Sequence, residues 1–478
     1  MSSGEGSVEL DAELLSRWRQ FRGTHHPFTI PGHQGLAGRL DATLGALLDS
    51  DVPLYGGLDS VKLSADRLAA AERRAADAWG ADWARFSTGG STHGNQAMTL
   101  AVGTPGDTVL VARTAHRSTL LGLVLAGLTP VWLPVSTDAR WGVPTGVEAG
   151  ALQAALEVHS PVAVFLTEPA YLGVTSDLPT LIALAHRSAV PVIVDQAWGA
   201  HFGWAAGYPE QAMKLGADAV VMSAHKTLPA YSQACLIVAR TTRLDRDRLD
   251  RAVDACHTTS PAGSILASID AARALLESRG AMLLGRLAEQ VRAARTRLRA
   301  LPGVQVPGPE DFPVGRFDPA KLVVIVAGAG VDGIAVEQDL LRDGIPVELA
   351  DRDMLVPIVT MVDTEADLEP LLGALERSIR AHTTGTARSV RAAPQPDTVQ
   401  ALTPREAFFA DQMPVPAVAA VGRVCAEVVA PYPPGVPVLM PGEVITAEIV
   451  DWLHVLARRG TRVAYAADPT LQTFRVVK

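Results

Sequence analysis

The chain has 478 residues, 48% of them hydrophobic and 19% charged, and carries a formal net charge of −9. This composition supports more than one cored domain and excludes global disorder. The acidic balance, with no basic patch, argues against nucleic acid and anionic membrane surfaces as partners.

The N-terminal stretch MSSGEGSVELDAELLSRW is acidic and has no signal-peptide apolar core. Helical periodicity in ADRLAAAERRAADAWG leads into the glycine-rich STGGSTHGN. Short apolar runs follow at DTVLVA, TPVWLPV, VAVFLT, VPVIVD and DAVVMS, separated by helix-like segments. That alternation predicts an α/β fold with a parallel sheet covered on both faces. The stretch STLLGLVLAGLTPVWLPV (118–135) approaches the length of a membrane span, but Gly127 and Pro130 divide it into a buried helix and a strand. A long helical pattern begins near residue 264, and KLVVIVAG, IPVELA and LVPIVTMV then suggest a second, smaller α/β unit. The expected organisation is an N-terminal arm (1–60), a large domain (61–262), a small α/β domain (263–383), a linker (384–400) and a C-terminal domain (401–478). Cys235, Cys256 and Cys425 are widely spaced, which predicts reduced thiols in a cytoplasmic protein, with no disulfide framework and no metal site.

Four places carry chemistry. Lys226 follows the run AVVM at a strand end, where loss of water favours a neutral, nucleophilic amine able to form a Schiff base. Asp195 ends the strand VPVIVD, where a carboxylate faces the crevice at the strand ends; helix capping is the plainer reading. Gly89, Gly90 and Gly94, with Ser91 and Thr92, form a turn into a helix whose first amides favour a phosphate. The turn has neither the Gly-Lys-Ser/Thr of a nucleotide-triphosphate loop nor the GxGxxG spacing of a dinucleotide site. His116, between a strand and a helix, either stacks on an aromatic cofactor or caps the helix.

In this order the features resemble those of the fold-type I pyridoxal phosphate enzymes, the aspartate-aminotransferase-like fold. Among them the chain resembles the bacterial Orn/Lys/Arg decarboxylases in their short form. FTIPGHQG (28–35) is similar to the family's PGHKxG element, and PLYGGLDSVKL (53–63) to the acidic Gly-Leu-Asp segment after it. EPAYLGVTSDL, DQAWGAH, SAHKTLPAYSQ and TTSPAGSILASIDAAR resemble its central motifs. AVGRVCAEVVAPYPPGVPVLMPGE resembles its C-terminal decarboxylase domain. The resemblance implies pyridoxal 5′-phosphate bound as a Schiff base on Lys226. It implies Asp195 on the pyridine nitrogen, His116 stacked on the ring, Ala197 beneath it and Trp198 closing the site. Ser91, Thr92, Ser223 and His225 would hold the phosphate, and Ser260 would reach it from the other subunit of a homodimer or higher homo-oligomer.

The implied reaction is decarboxylation of a basic amino acid, arginine or lysine before ornithine, to the amine and carbon dioxide. A decarboxylase–oxidase, an aminotransferase and a catalytically silent homologue are the alternatives. Gln34, Gln196, Gly263 and Ala170 depart from the family pattern and leave substrate choice open. Glu168, Asp177 and Glu443 are candidates for reading the distal end of the substrate, against plain structural roles.

Overall fold

The computed structural model describes residues 10–24, 34, 36–51, 66–390, 398–432, 437–458 and 461–478. The motif at 53–63, nearly all of the motif at 28–35, and residues 433–436 of the C-terminal motif lie outside the described residues.

A seven-stranded sheet organises the larger part of the chain. Its strands are β1 (Trp83–Ser87), β2 (Thr108–Ala112), β3 (Thr129–Leu133), β4 (Ala163–Thr167), β5 (Val192–Asp195), β6 (Ala219–Ser223) and β7 (Cys235–Ala239). Their spatial order is β1-β7-β6-β5-β4-β2-β3. Neighbours from β6 through to β3 are parallel. The five strands read from the sequence are thus parallel as expected, and β7 runs antiparallel between β6 and β1. The cause is local: the connection from Ser223 to Cys235 holds only a single helical turn, Ala224–Thr227, with no crossover helix to return the chain to the other end of the sheet.

Side chains along a strand alternate between faces, and the burial follows that alternation. Val109, Val111, Phe165, Ile193, Val221 and Ile237 share one buried cluster with Met98 and Leu123. Leu110, Val164, Leu166, Val192, Val194, Val220 and Met222 join the other, with Leu181, Ile182 and Leu284. Each fully buried aliphatic side chain contributes about 1.5–3 kcal/mol. Burial on both faces explains why these strands read as continuous apolar runs rather than as alternating ones.

The 118–135 stretch folds as expected. A helix, Arg117–Ala126, stops at Gly127 in the left-handed region (φ 71°), and β3 follows. Among the described residues no helix is long and apolar enough to cross a membrane.

The long helical pattern is one helix of 37 residues, Gly263–Arg299. Beyond it lies a small antiparallel sheet of β8 (Val324–Ile325), β9 (Leu349–Ala350) and β10 (Met354–Val356), ordered β8-β10-β9. The C-terminal segment builds its own core around Val415, Cys425, Leu453 and Phe474. It is tied to the large sheet by a buried ion pair: Arg113, just past β2, donates through both terminal nitrogens to Glu443 (Nη2–Oε2 2.9 Å).

Candidate active site

The parallel strands bring their C-terminal ends to one rim of the sheet, the place where α/β folds hold ligands. A cleft opens there, lined by Ser91, His116, Asp195, Ala197, Trp198 and Lys226 together with Thr114, Pro144, Thr167 and the segment Pro169–Tyr171. Six of the ten residues singled out in the sequence thus meet in one space.

Asp195 is the last residue of β5 and is buried. Its carboxylate is oriented from two sides. Asn95 Nδ2 donates to Oδ2 at 2.7 Å, and the Ala197 amide donates to Oδ1 at 3.1 Å. Asn95 also donates to Ser118 Oγ at 2.9 Å. Asn95 was not singled out in the sequence, yet it lies four residues after Ser91, one helical turn along the same face of the helix Gly90–Val102. That spacing was the available signal.

The helix Gly90–Val102 starts at the rim. Gly90 has φ 68°, a conformation that side chains rarely adopt, and this lets the chain turn sharply from β1 into the helix. Gly94 sits so close to the sheet that a Cβ there would meet Val221 Cγ1 at 2.6 Å. Close packing of this kind sets the helix N-terminus directly above the strand ends. Ser223, at the end of β6, donates to Ser91 Oγ at 2.9 Å, so two buried hydroxyls meet at the helix mouth. Thr92 is exposed in the same turn.

His116 combines the two readings the sequence left open. It lines the cleft, and it also caps the helix Arg117–Ala126, its Nδ1 accepting from the Ser118 amide at 3.2 Å. An accepting Nδ1 places the ring proton on Nε2. His225 uses Nδ1 to donate to the Ala234 carbonyl at 3.0 Å and lies outside the cleft lining, with Nε2 left over. Ser260 is exposed beside Thr258 (Oγ–Oγ1 3.4 Å) and does not enter this chain's own cleft.

Lys226 occupies the single helical turn after β6 and is partly buried. Burial lowers its pKa from the ordinary lysine value, against the opposing pull of Asp195 and Glu348. Its Nζ lies 4.6 Å from the centroid of the Trp198 ring, and Tyr171 meets Trp198 edge-on at 5.3 Å. A second amine not foreseen in the sequence is close by: Lys321 Nζ sits 4.1 Å from the same Trp198 centroid and 4.9 Å from that of Tyr171. Tyr171 donates through its hydroxyl to Glu348 Oε1 at 3.3 Å, which brings an exposed carboxylate to the site.

The three acids proposed for the distal end of the substrate sit elsewhere. Asp177 caps the helix Leu178–Arg187 and accepts from Thr180 Oγ1 at 2.9 Å. Glu443 is consumed by Arg113 and by Thr398, whose hydroxyl donates at 2.7 Å. Glu168 is buried, receives the Ser176 amide at 2.9 Å together with the Ser176 hydroxyl, and faces a neighbouring cavity with Gln196 and Arg316. Gln196 donates to the Gly199 carbonyl at 2.7 Å and accepts from the Ala212 amide at 3.1 Å, a pair of bonds suited to a neutral amide. Of the four departures from the family pattern, Ala170 alone lines the cleft. Among the described residues no group of three His, Cys, Asp or Glu side chains is placed to hold a metal ion.

Residues 18–310 match the family described as Orn/Lys/Arg decarboxylase, major domain, and residues 385–463 match Orn/Lys/Arg decarboxylase, C-terminal domain. The chain is 32% identical to an arginine decarboxylase of Halalkalibacterium halodurans over 467 residues, covering 95% of both chains. It is 31% identical to an arginine decarboxylase of Bacillus subtilis, covering 94% of both. Its fold is similar to that of a Francisella novicida lysine decarboxylase, with a TM-score of 0.82 at 20% identity over 98% of this chain and 82% of the other. It is similar at lower coverage to a Sphingomonas wittichii serine palmitoyltransferase, with a TM-score of 0.56 at 16% identity over 78% of this chain and 84% of that one. The chain therefore belongs to the Orn/Lys/Arg decarboxylase family.

Proposed function

We propose that the protein decarboxylates arginine to the corresponding amine and carbon dioxide, with pyridoxal phosphate carried on Lys226. Family membership supplies the reaction class, a pyridoxal-phosphate-dependent decarboxylation of a basic amino acid. One observation carries the reading: the Lys226 amine, the Asp195 carboxylate and the Ser91 hydroxyl line one cleft at a helix N-terminus.

The residues present fit the cofactor. A carboxylate locked by Asn95 and Ala197 suits a protonated pyridine nitrogen. Paired serine hydroxyls beside first-turn helix amides suit a phosphate. When bound, the cofactor ring supplies the electron sink for loss of the carboxylate. The protein's own contribution is orientation and charge. Burial favours the neutral Lys226 amine, the form that bonds an aldehyde. His116, its Nδ1 fixed by the Ser118 amide, presents its ring to the cleft. Ser91 and Ser223, with Thr92 and His225 nearby, take the phosphate; Ala197 and Trp198 line the ring's surroundings. Ser260, exposed on its own chain, reaches the site of a second copy in a cytoplasmic homodimer or larger homo-oligomer.

Glu348 is the residue we assign to the distal cation of the substrate. It is an exposed carboxylate at the site, held by Tyr171, and its charge is felt by Lys226 and Lys321. Arginine is preferred to lysine because the arginine decarboxylases match nearly the full chain at 31–32% identity, whereas a lysine decarboxylase of Pseudomonas aeruginosa matches at 24%.

The test is mass spectrometry of the products formed from arginine, lysine and ornithine by cofactor-loaded protein, in air and without oxygen. The expected result is the amine of arginine, one carboxyl group lighter, formed equally in both atmospheres. An aldehyde or keto product formed only in air would replace this reading with an oxidase. Turnover of lysine in preference to arginine would reassign the substrate.

A further inference from the structure

The register of the sheet sets three polar side chains in a row at its rim. Thr167 ends β4, Asp195 ends β5 and Ser223 ends β6, and these strands are parallel neighbours. Thr167 pairs directly with Asp195, and Asp195 pairs with Val221, two residues before Ser223. Alternation along the strands puts all three on one face, because Phe165, Ile193 and Val221 share the buried cluster on that side. The helix Gly90–Val102 covers the same face, and its Asn95 and Ser91 meet Asp195 and Ser223. Adjacent strands stand about 4.8 Å apart, so the row advances in steps comparable with the width of a substituted six-membered ring.

Two members of the row have partners within the protein. Ser223 donates to Ser91, and Asp195 accepts from Asn95 and from the Ala197 amide. Thr167 differs. It lines the cleft and is half-buried, and among the described residues its hydroxyl has no hydrogen-bond partner. Its chain neighbour Glu168 turns to the neighbouring cavity and bonds Ser176 instead.

The order of the row decides what Thr167 would meet. In pyridoxal phosphate the phosphate arm and the ring hydroxyl flank the aldehyde carbon on opposite edges of the ring, and the nitrogen lies across from the aldehyde. With the nitrogen at Asp195 and the phosphate at Ser91 and Ser223, on the β6 side, the hydroxyl edge faces the other way, toward β4. Thr167 is the last residue of β4.

We propose that Thr167 is a contact of the cofactor: its hydroxyl donates to the phenolic oxygen of the ring and, with Asp195 and the phosphate-binding serines, holds the ring at a third point. The inference rests on the assignment of Lys226 and Asp195 to pyridoxal phosphate. When the cofactor bound at Lys226 loses its proton, the phenolic oxygen carries negative charge with no proton beside it, so a bond from Thr167 favours that form. The titratable and charged groups that face Lys226 and the cleft are Asp195, Glu348, Cys235 and His116, with Arg117 beside His116 and Lys321 on the Trp198 ring. All of them are retained when Thr167 is changed.

The experiment has two readouts. The absorbance of the full chain loaded with pyridoxal phosphate is titrated against pH. Apoprotein is then titrated by fluorescence with pyridoxal phosphate and with its deoxy analogue, which lacks the phenolic oxygen. Thr167→Val keeps the shape of the side chain and removes the hydroxyl. It is expected to raise the midpoint by about one pH unit and to weaken pyridoxal phosphate about tenfold, with binding of the deoxy analogue unchanged. Thr167→Ser is expected to keep both quantities near those of the unmodified chain. A midpoint that stays in place in the Val variant, or equal losses for the two cofactors, overturns the proposal and leaves Thr167 a packing residue. Should the Val variant fail to fold, Thr167→Ala carries the same expectation. Failure of the unsubstituted chain to give an adduct at Lys226 on borohydride reduction would instead overturn the functional reading itself.

Discussion

Asn95 offers the sharpest test of how the cofactor site is built. Its Nδ2 donates to Asp195 Oδ2 at 2.7 Å and to Ser118 Oγ at 2.9 Å, both in buried surroundings. Asn95→Ala removes one of the two bonds that orient the Asp195 carboxylate, and the Ala197 amide remains. Hydrogen bonds to charged groups contribute about 1.5–3 kcal/mol. Ser118 keeps a partner in His116 Nδ1 at 2.8 Å, so little is lost there. If the carboxylate's orientation matters chiefly when the cofactor is bound, affinity for pyridoxal phosphate falls by about 10- to 100-fold. Asn95→Asp goes further, because it sets two carboxylates at hydrogen-bond distance and one must take a proton or move. The assay is fluorescence titration of apoprotein with pyridoxal phosphate, alongside circular dichroism to establish folding. Binding within twofold of the unmodified chain for Asn95→Ala, or equal losses for Ala and Asp, would refute the reasoning.

Glu443→Gln should break the Arg113 pair and cost about 3–5 kcal/mol, read as a lower melting temperature with the KM for arginine unchanged in the folded fraction; a changed KM with an unmoved melting temperature would return Glu443 to the substrate. Burial pushes the Glu168 carboxyl up to about 7, against its bonds to Ser176. Its folded-state value lies above the ordinary 4.5, so its contribution to stability is fully present below 4.5 and is lost as pH rises through about 7. Glu168→Gln should flatten that decline, by up to roughly 3 kcal/mol between the two limits, in denaturant midpoints taken across the range; an unchanged slope would exclude Glu168 as its source. Mixed Lys226→Ala and Ser260→Ala chains should recover part of the activity that each lacks alone, whereas verified mixed dimers without recovery would place Ser260 outside its partner's site.

Much of this was legible because the informative residues are local. Five of the seven sheet strands read as apolar runs, since burial on both faces removes the polar alternation that marks a half-exposed strand. β1 escaped notice because Arg85 interrupts its apolar pattern; that guanidinium reaches along the surface to Glu72 and Asp250. The reversal of β7 was written in the shortness of its connection, a length signal more than a pattern signal. In DQAWGAH, Asp195 and Trp198 stand three positions apart and both line the cleft, while His201, three further on, lines the smaller cavity beside it.

The residues that escaped share a different property. Lys321 and Glu348 are more than 90 positions beyond Lys226 in the chain, and each stands beside a short apolar run that looks like any strand edge. Nothing within a few residues of either marks it as part of a site. Their relevance arises only when the segment around β8 and β9 packs against Trp198 and Tyr171. The division has a chemical sense. The residues we propose for the cofactor sit on the rim of one sheet, where short motifs suffice. The carboxylate we assign to the far end of the substrate comes from a second packing unit. On that assignment, substrate preference would change by substitution at Glu348 without disturbing Asp195, Asn95 or the Ser91–Ser223 pair.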